Sequence, residues 1–480
     1  MKANAVKFFL AILFLFPFLV LIYHFKLEFN LDVHDIQWAL KNSILQSTLS
    51  SLITCSVGYM LSLGLLTAPQ KYRGFLRAMS LVPSFLPSIF IVLVALSLVS
   101  PFPMGSYGIV FVMCLTYTGY VAAMMSIEIE QRLGVLGFVS EVFGLTKWSF
   151  LRKVILPLSF KPLLILFIII SINVFTSFSV PLLVGGGKGT NLEVLIYEKI
   201  FIDQNWSQAL TLSFIQMLFI SVFSLVFIYK EKLTSVSVRE NRLIFFPIAK
   251  YLLYFSIGVF FWGYFSLVKD AFGAYYLLQM LDADFFIALL HSFLFFLVSL
   301  LILYTLIFLT TYLVYRQKSI LFLNIFLNPS TAVIGFSVYL LSHGLDLFRD
   351  LVKVSVLFAL MSFVSLYKLF IQPKLDILQQ QIFISNLYNV RYIDFFFKIF
   401  LPQIKQILFY VTSLTFIYCV SDFAFIKTSG ANFQTLGVIM QSYLSSYRME
   451  GAFIVSLVIL SLWGIVTFFL GALFGVYKKS

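Results

Sequence analysis

Few side chains in this sequence could do chemistry, and the strongest candidates are polar residues inside long apolar runs. Three stand out, namely Asn173, His291 and Asp422. An amide, imidazole or carboxylate in an apolar medium costs several kcal/mol unless it is paired. Each of the three therefore marks either a ligand contact or a bond between helices. Asp422 could meet a cationic ligand or cap a helix, whereas His291 and Asn173 fit interhelical hydrogen bonds better.

The residues that usually carry catalysis or hold metals are scattered. The histidines form no HExxH spacing and the cysteines no CxxC spacing. These residues are His24, His34, His291, His343, Cys55, Cys114 and Cys419. The glycine-rich stretch 185–190 contains a Lys and a Thr but lacks the spacing of a phosphate-binding loop. We therefore expect no catalytic residue, no resident metal and no cofactor.

The composition requires lipid as the solvent for most of the chain. Of the 480 residues, 61% are hydrophobic and 11% charged, and the mean hydropathy is +1.00. A soluble domain is about half apolar and about a quarter charged, so its core could not hide this much apolar surface. The net charge is +13, but the basic residues lie in short loops between apolar runs. That distribution is typical of a membrane protein and argues against a nucleic-acid partner.

The apolar runs are long enough to cross about 30 Å of hydrocarbon as helices. They are 6–23, 43–67, 76–99, 108–127, 160–184, 207–229, 246–267, 286–314, 320–342, 351–371, 406–428 and 452–476. The sequence therefore predicts an all-α polytopic membrane protein with about twelve transmembrane helices. Pro83 and Pro87 are expected to kink the third run, and Pro329 the ninth.

The first run, 6–23, has a second interpretation as a signal peptide. It is long for the apolar part of such a peptide, and His24-Phe25-Lys26 follows it where a small-residue cleavage site would stand. We therefore expect it to be retained as the first span. Lys and Arg concentrate in one set of loops, which the positive-inside rule makes cytoplasmic. Both termini then lie on the cytoplasmic side.

The chain matches itself when it is shifted by 245 residues. The matched pairs include 138–140 with 383–385, Phe150 with Phe395, Lys153 with Lys398, and Leu156-Pro157 with Leu401-Pro402. Because these identities lie in charged loops, a Phe-rich composition does not explain them. The sequence predicts a tandem duplication of six-helix domains, 1–232 and 246–480, joined by a cytoplasmic linker, 233–245.

Both copies contain a loop with the same spacing. In the first, Gly144 is followed after nine residues by an aliphatic residue, one further residue and Leu156-Pro157; in the second, Asn389 leads to Leu401-Pro402 in the same way. Gly, or Asn as the next best residue, supplies the left-handed conformation that ends a helix. Leu-Pro is expected to end a second helix. The spacing predicts two short helices joined by a turn and lying on the cytoplasmic surface.

This loop resembles the EAA loop of the permease subunits of bacterial ABC importers. The resemblance implies that loops 138–157 and 383–402 dock in grooves of a separate ATPase subunit and carry its closure to the membrane. The residues implied are Ser140, Glu141, Gly144, Trp148, Phe150, Leu156, Pro157, Ser385, Asn389, Tyr392, Phe395, Leu401 and Pro402. Of these, Trp148, Phe150, Tyr392 and Phe395 would be apolar anchors. Phe138 and Phe383 stand where the family usually has an acidic residue, so the partner of an ATPase salt bridge is left open.

Two further stretches resemble the fused permeases for thiamine and for ferric iron. Gly185-Gly186-Gly187 is followed by Glu193 and Tyr197 in a Glu-x-x-Ile-Tyr arrangement, and Ser421-Asp422-Phe423 is followed by 434–436. The first stretch is most similar to the thiamine permease, and ferric iron and polyamines are the alternatives. The resemblance implies one chain per transporter in the bacterial inner membrane, two ATPase copies and a periplasmic binding protein.

Two other classes of protein fit the composition less well. An ion-coupled secondary transporter needs titratable or ion-binding groups near the bilayer midplane, and carboxylates in the apolar runs are scarce. An intramembrane enzyme needs a cluster of His, Asp or Ser within the helices, and the sequence shows none. The chain also has no Walker motif, so ATP hydrolysis would come from a partner. We therefore expect a transport subunit that is not itself an enzyme.

Overall fold

The architecture is helical throughout the residues that the computed structural model describes. These are 2–24, 33–142, 146–224, 247–273, 283–318, 320, 323, 330–342 and 347–474. No β-strand occurs within them, and seven helices are long and apolar enough to cross a membrane. A span in lipid must satisfy its backbone N–H and C=O groups internally, as a helix does. The predicted all-α polytopic membrane class is confirmed.

The helices are numbered in chain order. Those before residue 225 are α1 Lys2–Tyr23, α2 Val33–Thr67, α3 Gln70–Phe85, α4 Ser88–Leu98, α5 Ser106–Val142, α6 Lys147–Phe150, α7 Leu156–Phe175, α8 Ser179–Val184, α9 Leu192–Phe201 and α10 Trp206–Ser224. Those after it are α11 Pro247–Gly273, α12 Ala283–Tyr315, α13 Thr331–Ser342, α14 Leu347–Leu366, α15 Gln372–Ile377, α16 Gln379–Leu387, α17 Tyr392–Phe395, α18 Leu401–Gln403, α19 Lys405–Ser421, α20 Ala424–Thr428, α21 Leu436–Ser445 and α22 Met449–Leu473. Wider π-helical turns occupy Leu151–Ile155, Tyr367–Ile371 and Phe396–Phe400.

Two further spans are bent. The axes of α3 and α4 differ by 101°, and Tyr392–Gln403 meets Lys405–Ser421 at 79°. The first bend lies at Leu86 and Pro87, because Pro87 has no N–H to continue the helix; Pro83 lies within α3, and Pro329 lies outside the described residues. Counting each bent pair as one span gives nine in the described part of the chain.

The predicted number of twelve spans stays a prediction. The three remaining apolar runs correspond to α10, α13 and α14. The runs 207–229 and 320–342 extend beyond the described residues, so the structure describes only part of each run. The third run differs for a chemical reason, since α14 carries Arg349, Asp350 and Lys353 near its start. These charges make its first two turns too polar for a simple hydrocarbon span.

The described helices fall into two compact units. Unit 1 comprises Met1–Phe29, Ile196–Ser213 and Ala271–Ser480, and unit 2 comprises Asn30–Leu195 and Phe214–Asp270. Helix α1 therefore groups with helices from the second half of the chain, and α11 groups with helices from the first half. The predicted linker 233–245 and the domain boundary at 232 lie outside the described residues.

Side-chain packing explains why α1 and α11 group as they do. In unit 1, the rings of Phe14 on α1 and Phe363 on α14 lie 6.0 Å apart. In unit 2, a Cβ on Gly64 of α2 would lie 2.3 Å from the carbonyl oxygen of Ala249 on α11. Helices in lipid associate by van der Waals packing, which small residues strengthen by allowing backbones to approach closely. Gly64 therefore fixes where α11 crosses α2.

The two segments that contain Leu-Pro have the same local conformations, separated by 245 residues. In each, a four-residue α-helix leads into a five-residue π-helical segment that ends directly before Leu156-Pro157 or Leu401-Pro402. The expectation that Leu-Pro ends a helix is wrong for the first copy, because Pro157 lies in the first turn of α7 and the helix continues to Phe175. The wider π turn accommodates the missing proline N–H. In the second copy, the chain bends at Ile404 instead.

Candidate functional site

The loop that follows α14 is well defined in unit 1 and contains the helix–turn–helix that the sequence predicts. Helix α16 ends at Leu387, and Asn389 has φ 51°. The N–H of Val390 donates to the carbonyl of Ser385 at 2.9 Å, and the N–H of Asn389 donates to that of Asn386 at 3.1 Å. This pair of bonds is a Schellman cap, which requires a left-handed residue at the position of Asn389. Asn389 therefore has the conformation that the sequence predicts for it.

This geometry predicts a strong dependence on residue type at position 389. Asn389→Val is expected to lower the free energy of unfolding by about 1–2 kcal/mol, because a β-branched residue is strained at positive φ. Asn389→Gly should leave it nearly unchanged. Chemical unfolding in detergent would measure both. Tyr388→Val places the same side chain one residue earlier, at φ −86°, and equal losses at 388 and 389 would contradict the prediction.

One face of α16 is apolar and exposed. Ile382 and Ser385 point inward and are buried, whereas Phe383, Ile384 and Leu387 are 60%, 51% and 67% exposed. Phe383 and Ile384 line an open groove together with Gln379 and Gln380. Leu387 comes four residues after Phe383 and three after Ile384, about one helical turn in each case, so its side chain lies beside both of theirs on the helix surface. An exposed apolar face beside polar residues is typical of a protein–protein contact when it lies outside the bilayer.

Three of the four predicted apolar anchors are buried within the chain. Phe150 is 3% exposed, Tyr392 8% and Phe395 0%, and only Trp148, at 65%, faces outward. Tyr392 and Phe395 pack on α12, where the ring of Tyr315 lies 5.5 and 4.9 Å from theirs. The sequence shows that a loop is rich in aromatic residues but not which of them its own helices cover. The exposed large apolar residues of α16 are instead Phe383, Ile384 and Leu387.

The first loop is described in part. Ser140 and Glu141 lie in the last turns of α5, and their side chains are outside the described part, as is all of Gly144. Leu156 and Pro157 are exposed at the start of α7. In the second loop, Ser385 is buried, Pro402 is exposed and Leu401 is half-buried. The predicted coupling residues thus divide into an inward-facing set and an exposed set.

The three polar candidates for a ligand path lie in different units. Asn173 is half-buried on α7 of unit 2, and His291 and Asp422 belong to unit 1. The carboxylate of Asp422 accepts the N–H groups of Ala424 and Phe425 at 2.9 and 3.2 Å. It therefore caps the start of α20, which is the second of the two roles that the sequence allows for this residue. The ring of His291 meets that of Phe433 edge-on at 6.0 Å.

A polar face on α2, which the sequence analysis missed, holds the glycine-rich turn of unit 2. Gly186 and Gly187 have φ of 52° and 74°. The amide of Asn42 donates to the carbonyls of Lys188 and Thr190, and that of Gln46 donates to the carbonyl of Gly189 at 2.9 Å. The signal that could have revealed this face is a row of buried polar residues at helical spacing: Ser43, Gln46, Ser47, Ser50, Ser51 and Thr54.

A partly buried charge cluster, also missed, joins α3 to α5 in unit 2. Both oxygens of Glu130 are paired, one with Arg73 and the other with Arg77, each at 2.5 Å. Arg73 also donates to the carbonyls of Leu66 and Ala68 at the end of α2. These carbonyls have no intrahelical partner, so the guanidinium of Arg73 completes the helix end. From the sequence, both arginines belong only to the basic loops that the positive-inside rule makes cytoplasmic.

The fold and the loop define a polytopic all-α membrane protein with a short two-helix element that exposes an apolar face. Residues 60–230 match the model of the family described as binding-protein-dependent transport system inner membrane component. The matched region is a little over a third of the chain and includes the first loop, 138–157. The match supports a permease component of a transport system, which is not itself an enzyme. No curated protein and no solved structure matches the chain.

Proposed function

We propose that the chain is the permease subunit of an ABC importer and that its loops 138–157 and 383–402 dock on a separate ATPase subunit. The observation that carries the proposal is the exposed apolar face of α16, in a loop whose spacing is that of the EAA loop. The positive-inside rule predicts that this loop lies in water on the cytoplasmic side, where three large exposed apolar side chains are costly unless a partner covers them. The match of residues 60–230 to an inner-membrane transport component supports the same function from a different part of the chain.

The two loops act as a pair in this proposal because the chain is a tandem duplication. Beyond the matched π-helical turns, each unit contains a similar long-range hydrogen bond within itself. The N–H of Leu192 at the start of α9 donates to Ser43 of α2 at 2.9 Å, and the N–H of Leu436 at the start of α21 donates to Ser292 of α12 at 3.0 Å. Such equivalent bonds support one fused chain that replaces two permease subunits and takes two ATPase copies.

The rest of the assembly follows from the charge distribution and the family. The loops lie on the cytoplasmic side of the inner membrane, as do both termini, and a periplasmic binding protein delivers the solute from the opposite side. Thiamine is our first choice of solute, on the resemblance of 185–197 to the thiamine permease, with ferric iron and polyamines as alternatives. Asp422 adds little to this choice, because its carboxylate caps α20.

The docking face provides the first test of the proposal. Phe383→Ser combined with Leu387→Ser is expected to weaken binding of the ATPase subunit by at least about tenfold, because two large apolar contacts of about 1.5–3 kcal/mol each are lost. Affinity capture of the ATPase by detergent-solubilised chain would measure this. Tyr447→Ser is the matched control, since Tyr447 is 83% exposed but lies in the loop after α21. Equal binding by the double variant and the wild type would contradict the proposal.

Transport itself decides between classes of transporter. The chain is reconstituted in vesicles with its ATPase and with binding protein loaded with thiamine, ferric iron or a polyamine. ATP-dependent uptake of one solute, with stimulated ATP hydrolysis, is the expected result. Uptake at the same rate without the ATPase would instead show an ion-coupled secondary transporter and would overturn the proposal.

A further inference from the structure

The second loop is joined to the end of α12 by three hydrogen bonds, all within unit 1. The amide of Asn386 on α16 donates to the carbonyl of Tyr315 at 2.8 Å, and the hydroxyl of Tyr315 donates back to the carbonyl of Val390 at 2.6 Å. The hydroxyl of Tyr392 donates to the carbonyl of Phe308 at 2.5 Å. The bonds run in both directions and reach both sides of the Asn389 turn. We therefore expect the loop and the last two turns of α12 to move together.

Aromatic packing surrounds these bonds and excludes water from them. The rings of Phe308 and Tyr392 lie 4.9 Å apart, and those of Tyr315 and Phe395 also lie 4.9 Å apart. Tyr315 is 1% exposed. A hydrogen bond shielded from water is stronger than an exposed one, and its loss strands a buried polar group. This cluster explains why Tyr392 and Phe395 are turned inward instead of toward the surface.

The other end of α12 is bonded to a different element. The hydroxyl of Ser292, which is fully buried, accepts the N–H of Leu436, the first residue of α21, at 3.0 Å. Ser292 and Tyr315 are about 35 Å apart along the helix, at 1.5 Å per residue. Helix α12 contains neither Pro nor Gly over its 33 residues, and these are the usual causes of a kink. It is thus an unbroken helical connection between the loop and α21, without a Pro or Gly that would kink it.

We propose that α12 carries displacement of the second docking loop to the start of α21, with Asn386, Tyr315 and Ser292 as positioning residues at its two ends. The inference rests on the proposed ATPase-driven function and adds to it a route for the motion. A push on α16 reaches α12 through Asn386 and Tyr315 and leaves it through Ser292. None of these residues belongs to the exposed face that binds the ATPase. Their loss should therefore change coupling without changing docking.

The experiment compares the two ends of α12 in the reconstituted complex. Tyr315→Phe with Asn386→Leu removes the bonds at the loop but keeps the side-chain volumes close to native. Ser292→Ala removes the bond at the far end and leaves the loop untouched. Both variants are expected to bind the ATPase as the wild type does and to retain ATP hydrolysis, while solute uptake per ATP falls at least fivefold. Tyr304→Phe is the control, because it removes a hydroxyl bond from α12 to Thr412, away from both ends.

A distance measurement provides a readout that a merely structural role would not change. Spin labels replace Ile393 in the second loop and Leu301 on α12, which are 61% and 68% exposed, in a chain without native cysteines. On addition of a non-hydrolysable ATP analogue, the distribution of distances between the two labels is expected to stay unchanged in the wild type. In the Tyr315→Phe/Asn386→Leu variant, the same distribution is expected to broaden. If that variant took up as much solute per ATP as the wild type, and the distance between its two labels stayed unchanged, the proposed role of α12 would be overturned. Absence of ATP-driven uptake in the wild type would instead overturn the proposed function.

Discussion

Replacing Gly119 with alanine is expected to prevent correct packing of α5 against α3 and to lower the free energy of unfolding by about 3 kcal/mol or more. A Cβ at this position would lie 1.8 Å from the carbonyl oxygen of Ser80, and 2.8 Å from its carbonyl carbon. Overpacking typically costs about 1–3 kcal/mol when a flexible side chain can give way. Here the obstacle is the backbone of α3, so the whole helix must shift.

The matched control lies on α3. A methyl group added to Gly74 would have no heavy atom within 4 Å, and Gly74→Ala should stabilise the helix by about 0.5–1 kcal/mol through its backbone entropy. Thermal unfolding of the purified chain in detergent, with the fraction of monodisperse protein after extraction, would measure both variants. The account of the contact between α3 and α5 fails if Gly119→Ala melts at the wild-type temperature.

The second large effect is expected from Glu130→Leu. This change leaves two guanidinium groups without their partner, and the side chain of Arg73 is only 8% exposed. Removing one partner of a fully buried ion pair costs about 3–5 kcal/mol. Because the side chain of Glu130 is 29% exposed, we expect a smaller loss, of about 2–4 kcal/mol. Chemical unfolding in detergent would measure it.

Two further variants separate charge pairing from packing. Removing all three charges with Arg73→Met, Arg77→Met and Glu130→Leu should recover part of the loss, because no charge is then stranded. Asp394→Asn breaks an exposed pair with Lys398 of 2.8 Å and should have no measurable effect. If the triple variant were less stable than Glu130→Leu alone, a role in packing would explain the cluster better than charge pairing.

The local features of the loop were predictable, and its partners were not. The left-handed turn follows from Asn389 and its neighbours, because a Schellman cap involves residues within one helical turn. The bend between α3 and α4 follows from Pro87 for a similar reason. By contrast, Glu130 lies more than fifty residues from Arg73 and Arg77, and nothing in the spacing of these residues marks them as a cluster.

The aromatic residues of the second loop show the same limit of prediction from sequence. Phe383 and Phe395 are both phenylalanines in one short loop, yet one is 60% exposed and the other is fully buried. The difference arises because α12 lies against α17 and leaves the face of α16 uncovered. Composition states how many aromatic side chains a loop has, whereas the direction each one faces depends on a helix that comes some seventy residues earlier.

The sequence by itself determined that this chain is a helical membrane protein, because its apolar content allows no other solvent, and that its second loop turns at Asn389, because local backbone conformation depends on local residue type. The tertiary structure alone decided that α1 groups with the second half of the chain, that Glu130 joins α3 to α5, and that α12 is bonded at both ends. These features depend on close approach between residues far apart in the chain, which packing in three dimensions controls and sequence spacing does not record.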